Sequence, residues 1–123
     1  MKYGLLIRER PLSKQRPRFG NGHTYTPSKT KEYEERVGYE WKKKYKDCLT
    51  GAVSVTMKFF FHEPKKAGVY KTSRPDIDNL AKAILDGLNG IAFTDDSQVV
   101  ELHLYKLWGE PRTEVIVFDL ERS

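Results

Sequence analysis

Residues 52–63, AVSVTMKFFFHE, alternate and are β-branched or aromatic, which predicts a strand with Val53, Val55, Met57 and Phe59 on one face. KYGLLIRE (2–9) reads as an earlier strand, broken by Pro11. In TPSKTKEYEERVGYEWKKKYKDCL (26–49), Tyr33, Val37, Trp41 and Tyr45 recur four apart. That spacing predicts a helix capped by Ser28 or Thr30, with Glu early and Lys late to suit its dipole. A second helix is expected from Ile77 to Asn89, with Ile77, Leu80, Ala81, Ile84, Leu85 and Leu88 on one stripe and Gly90 as a left-handed stop. QVVELHLYKLW (98–108) and TEVIVFDL (113–120) read as strands joined by GEPR (109–112), expected to form an antiparallel hairpin.

Between these elements lie two polar, cationic stretches. Residues 10–29 carry prolines at 11, 17 and 27, which prevent a regular helix, and FGNGHTY has the turn signal for a small hairpin. Residues 64–75 form a Gly-containing loop with Lys65, Lys66, Lys71 and Arg74. The order β-α-β-α-β-β has no repeat and no interior linker. It predicts one α+β domain over 1–123: a single mixed or antiparallel sheet with two main helices packed on it.

Composition narrows the class. The 123 residues include seven Tyr, six Phe and two Trp, enough for one core. The lone Cys48 excludes an internal disulfide and a cysteine zinc site. No run of about 18 apolar residues is present, and MKYGLLIRERP is too short and interrupted for a signal peptide, so a soluble, cytoplasmic protein is expected. Lys and Arg number 22 against 17 Asp and Glu, a balance that favours a polyanionic partner.

Against that positive charge, acidic residues gather at Asp76, Asp78, Asp86, Asp95 and Asp96. Two carboxylates about 4 Å apart repel by about 4 kcal/mol at an effective dielectric near 20. Within a helix Asp76 and Asp78 point to nearly opposite sides, so they converge only if Asp76 lies in the extended residues before it. Pro75 restricts Arg74 to an extended conformation, which allows this. Two readings stay open on spacing alone. The aspartates are helix caps and solvated turn residues, or they bind Mg²⁺, a hard cation that keeps several waters and needs few carboxylates. Lys82, one turn after Asp78, then adds a cation able to stabilise developing phosphate charge.

PDIDNLAKAILDGLNG (75–90), DDSQVV (95–100) and Lys106 resemble the RusA-type Holliday junction resolvases of bacteria and their prophages. RPRF (16–19), YTP (25–27) and the KT-x-x-YE helix start extend the resemblance over most of the chain. It implies a homodimeric endodeoxyribonuclease that nicks four-way junction DNA symmetrically with Mg²⁺, or Mn²⁺ in its place. It carries over Asp76, Asp78 and Asp96 as catalytic metal ligands and Lys82 as the essential lysine. Asp95 and Lys106 stand as supporting residues, and Asp86 matches a family acid whose position suggests a structural role. The alternatives are a metal nuclease preferring flaps or forks, and a non-catalytic protein that binds branched DNA.

The remaining charges fit this partner. Lys14, Arg16 and Arg18, with Arg10 beside them and Phe19, His23 and Tyr25 nearby, read as a clamp on the DNA backbone. Lys65, Lys66, Lys71 and Arg74 lead into the acidic stretch and are expected to guide phosphate. The KKK at 42–44 reads as a solvated helix end, and His23, His62 and His103 lack ligand spacing.

Overall fold

The computed structural model describes residues 1–14, 18–20, 23–25 and 28–121, the stretches 18–20 and 23–25 by their backbone alone. The predicted hairpin is present as two short antiparallel strands, β2 (Arg18–Gly20) and β3 (His23–Tyr25), pairing Arg18 with Tyr25 and Gly20 with His23. Arg16 lies outside the described residues.

Four strands form the main sheet: β1 (Lys2–Ile7), β4 (Val53–Phe61), β5 (Val99–Trp108) and β6 (Arg112–Asp119). Their order across the sheet is β1-β6-β4-β5, with β4 and β5 parallel and the other neighbours antiparallel. The expected hairpin of the last two strands is therefore corrected: β4 lies between them. Burial gives the reason. Seven of nine residues in β4 are buried, on both faces, which demands a central position. No residue of β5 is buried, which suits an edge. Residues 109–111 pass over the end of β4, about 10 Å across two strand spacings. The Gly109 N–H, donating to the Phe61 carbonyl at 2.7 Å, holds that crossing in place.

Helix α1 runs from Ser28 to Lys44, five residues short of its expected end. Beyond it the chain turns back, because the Trp41 indole donates to the Asp47 carbonyl at 2.9 Å. Tyr45 turns its ring onto Tyr3 and Trp41, at centroid distances of 4.9 Å to each. Leu49 then bridges to Phe93, joining this return to the segment after the second helix.

Helix α2 spans Ile77–Leu88 and buries Leu80, Ala81, Ile84 and Leu88 as its stripe requires. Full burial of a Leu or Ile side chain is worth about 1.5–3 kcal/mol. Ile77 and Leu85 are only half-buried, while Ala83 and Gly87 are buried, because a second face of α2 meets α1. A Cβ on Gly87 would stand 2.8 Å from the Glu34 carbonyl oxygen and 2.9 Å from Val37 Cβ. Across that contact, a Cβ on Gly38 would stand 2.9 Å from the Gly87 carbonyl oxygen. The two helices therefore touch backbone to backbone. Gly90, at φ 77°, turns the chain away from α2 as expected. Both helices share one core with Tyr3, Leu5 and Ile7 of β1, β4 and Val115 and Val117 of β6.

Candidate functional site

Four of the five gathered aspartates divide between the two ends of α2, and Asp86 lies along it. Asp76 is the N-cap residue, extended at φ −71° and ψ 141°, and its carbonyl accepts the first helical bond from Leu80 N–H at 3.2 Å. Its carboxylate makes no capping hydrogen bond. Asp78 follows in the first turn, and its Oδ1 accepts the Asn79 N–H at 2.9 Å. Both are exposed, at the helix end whose free N–H groups favour negative charge.

Asp95 behaves differently. It caps a 3₁₀ turn, Asp96–Gln98, with its Oδ2 accepting the Ser97 N–H at 3.0 Å. Gln98 completes the box, its Oε1 accepting the Asp95 N–H at 2.8 Å. The same amide donates to the carbonyls of Leu49 and Gly51, both at 2.9 Å, and so ties the turn to the approach to β4. The Ser97 side chain, and then its backbone N–H, hold the Asp95 carboxyl below the usual range. Asp95 is thus occupied in shaping the turn that presents Asp96.

Asp96 sits at the far end of α2. Its N–H donates to Asn89 Oδ1 at 2.9 Å, and Asn89 is the C-cap of the helix. The intervening 12 residues make α2 about 18 Å long, so Asp76 and Asp96 of one chain lie far outside joint reach of an ion. Accordingly, no group of three His, Cys, Asp or Glu side chains able to hold a metal occurs among the described residues. Asp76 and Asp78 do offer hard oxygen donors at one end, and among the described residues no cation lies within 4 Å of either. That donor set fits Mg²⁺, which binds through one or two carboxylates and keeps waters.

The lysines take distinct places. Lys82 is exposed, its Nζ 3.8 Å from Asp86 one turn on. Lys14 reaches the same Asp86 at 3.1 Å and Glu34 at 2.6 Å, while its N–H donates to the Asn79 carbonyl at 2.9 Å. Burial opposes its charge, but these hydrogen bonds and the two carboxylates outweigh it, and its pKa stands above the ordinary lysine value. Lys14 therefore joins the segment before β2 to both helices.

Lys106 was expected as support for the acidic site, and the structure brings it to the Asp76 end. Its Nζ donates to the carbonyls of Ser73 and Pro75, each at 2.8 Å, directly before Asp76. Residues 68–71 run along the β5 edge: Gly68 and Lys71 N–H donate to the carbonyls of Trp108 and Lys106. Lys65, Lys66 and Arg74 are exposed, but Lys71 is buried at 8% exposure. Its Nζ stands 4.5 Å from the Trp108 ring centroid and 5.1 Å from that of Phe61, and donates to Ser73 Oγ at 2.6 Å. Desolvation, then the charges of Lys106 and Arg10, lower its pKa. Arg18 is placed in β2 by its backbone.

Sequence reasoning missed Asn89, Gln98 and the burial of Lys71. Asn89 sits beside the helix-ending Gly90, a position that signals a cap. The partner seven residues on carries no local signal.

A family model described as Endodeoxyribonuclease RusA matches residues 9–118, which include every residue of both α2 ends. YqaN, an uncharacterized protein of Bacillus subtilis (strain 168), is 32% identical over 126 residues, covering 87% of this chain and 89% of that protein. A protein of Lactococcus phage r1t named crossover junction endodeoxyribonuclease rusA is 38% identical over 71 residues, 54% of each chain.

Proposed function

This chain belongs to the RusA endodeoxyribonuclease family, and from that premise we propose that it is a homodimeric nuclease resolving four-way DNA junctions by paired symmetric nicks. The observation that carries the proposal is the contrast between Asp76 and Asp95. Both occupy N-cap positions, but only Asp95 uses its carboxylate as a cap. The Asp76 carboxylate is left for another partner, beside Asp78 and among basic loops. In a DNA-binding protein without an ion, such a pair would only repel phosphate.

Asp76 and Asp78 of one chain hold the ion, Mg²⁺ with Mn²⁺ as substitute, and Asp96 of a second chain completes the set. The length of α2 supports that division, since one chain keeps Asp96 at the opposite end. A two-fold axis makes two such sites, which suits two symmetric cuts. When bound, the ion neutralises the scissile phosphate and makes a water more acidic.

The remaining steps belong to side chains. Lys106 fixes the Ser73 and Pro75 carbonyls and with them the approach to Asp76. Lys82, one turn beyond Asp78, provides positive charge for the phosphate as negative charge builds on it. Asn89 and the Asp95–Gln98 box present Asp96. Lys65, Lys66 and Arg74 draw the DNA backbone towards this end.

The test is cleavage of a synthetic four-way junction beside linear duplex and flap DNA, with and without Mg²⁺, by wild type and Asp78→Asn. Paired nicks in the junction alone, dependent on Mg²⁺ and lost in the variant, are expected. Preferential cutting of the flap would change the substrate. Equal binding by both proteins without cutting would make the aspartates structural.

A further inference from the structure

We propose that Lys71 and Arg10 form a pocket that grips one phosphate group of the DNA strand running to the Asp76 end of the site. The proposal rests on the nuclease reading above and adds a subsite to it. A cavity of about 230 Å³ is lined by Arg10, Phe61, His62, Lys71, Trp108 and Pro111. It is smaller than the roughly 300 Å³ at which pockets begin to take whole small molecules, so it admits one group of a larger ligand.

The charge of that group follows from the walls. Among the described residues no carboxylate lies within 4 Å of Lys71 or Arg10. The Lys71 ammonium has three N–H donors, and its one hydrogen bond here is to Ser73 Oγ. Arg10 rests over the Phe61 ring at 5.9 Å, and Lys71 sits against Phe61 and Trp108. Aromatic faces moderate two neighbouring cations but leave their N–H groups without an anion. A buried ammonium without a counter-ion is unfavourable, and a phosphate oxygen supplies both charge and acceptor.

Position identifies the source of the phosphate. Arg10 also lines a cleft of about 440 Å³ that includes Pro75, the residue before Asp76. Asp76 follows Lys71 by five positions, at most about 18 Å of chain. Lys71 bonds the Ser73 hydroxyl while Lys106 holds the Ser73 carbonyl, so pocket and acidic end share one short, braced loop. A strand reaching Asp76 through the cleft passes Arg10.

The experiment follows the Trp108 indole N–H by NMR in the full chain, with the Trp41 indole, bonded to Asp47, as internal reference. The probes are thymidylyl-thymidine, thymidine and inorganic phosphate. Saturable movement of Trp108 with the dinucleotide, none with thymidine, and loss in both Lys71→Met and Arg10→Met support the pocket. Lys42→Met, altered at the exposed end of α1, should respond as wild type. Arg10 is exposed, so its variant tests the pocket without disturbing the core. Equal movement with thymidine would make this a site for bases. Movement with inorganic phosphate alone would make it a free-phosphate site, and no movement would remove the pocket.

Junction binding in EDTA separates this from the nuclease reading. Lys71→Met should bind about tenfold more weakly, with a salt slope shallower by about one. A junction bound by wild type with Trp108 unmoved overturns the pocket alone. Trp108 movement by the dinucleotide in a protein that binds no junction overturns the junction reading and leaves the pocket.

Discussion

Asn89 accepts the backbone N–H of Asp96 at 2.9 Å, and so fastens that aspartate to the opposite end of α2 from Asp76. The bond places the two acidic clusters of a sequence motif that looks continuous at opposite ends of one helix.

Two inactive variants should therefore rescue one another. Asp76→Asn and Asp96→Asn are each expected to be inactive alone, whereas mixing and refolding them should restore nicking. One site of the mixed dimer recovers an intact Asp76 and an intact Asp96, and the other loses both. Single nicks in the junction should thus predominate over paired ones. A mixture as inactive as its components would place the complete site within one chain.

Lys106→Met removes two charge-assisted bonds to the loop before Asp76, each worth about 1.5–3 kcal/mol. Cleavage should fall at least about tenfold, while junction affinity in EDTA changes by less than about threefold. Single-turnover rates beside binding isotherms check this. A parallel loss of both would make Lys106 a DNA contact.

Lys71→Met should leave the protein as stable or raise its stability by about 0.5–1 kcal/mol, since it removes a desolvated ammonium and keeps the stem between two rings. The pH dependence has a defined sign. Its folded pKa is lowered, so between that value and the unfolded 10.5 the unfolded chain holds more protons. Wild-type stability should accordingly gain with rising pH in that interval through this residue, and the variant should lack the gain. Urea midpoints across pH 8–11 (an interval set by lysine titration) read the difference.

Lys14→Met should cost about 1–2 kcal/mol, because Glu34 and Asp86 lose the cation between them. Its raised pKa puts the stabilisation fully in place below 10.5 and removes it as pH rises through the higher folded value. The variant should be insensitive to that loss.

Gly87→Ala tests the helix contact. Alanine gains about 1 kcal/mol in helix propensity, but its Cβ would lie 2.8 Å from a backbone oxygen of α1. Overpacking of this kind costs about 1–3 kcal/mol, so a net loss of up to about 2 kcal/mol is expected by thermal or urea unfolding.

The sequence made these elements readable because each carries its own period: four-residue spacing in α1, a continuous stripe in α2, alternation in β4. Strand adjacency was not local. The four residues of GEPR looked like a hairpin, yet β4, apolar on both faces, took the centre and separated β5 from β6. The same limit governed the site. The carboxylate of Asp76, which makes no capping bond, and the capping one of Asp95 belong to the same residue type at the same N-cap position. Only the hydrogen bonds of Ser97 and Gln98 tell them apart. Lys71 read as one more phosphate-guiding cation of an exposed loop, since nothing within residues 64–75 shows that they lie along β5 against Trp108.

Strand β1 pairs Lys2 with Phe118, and the Asp119 N–H reaches back to the Met1 carbonyl at 2.9 Å. On a ribosome, β1 must wait until more than a hundred further residues have been made before it can pair with β6. Sequence-distant closure of this kind slows folding and leaves Leu5 and Ile7 without their sheet neighbour throughout synthesis. The start of β1 and the end of β6 lie side by side, so a short linker joining them would spare these strands their longest search.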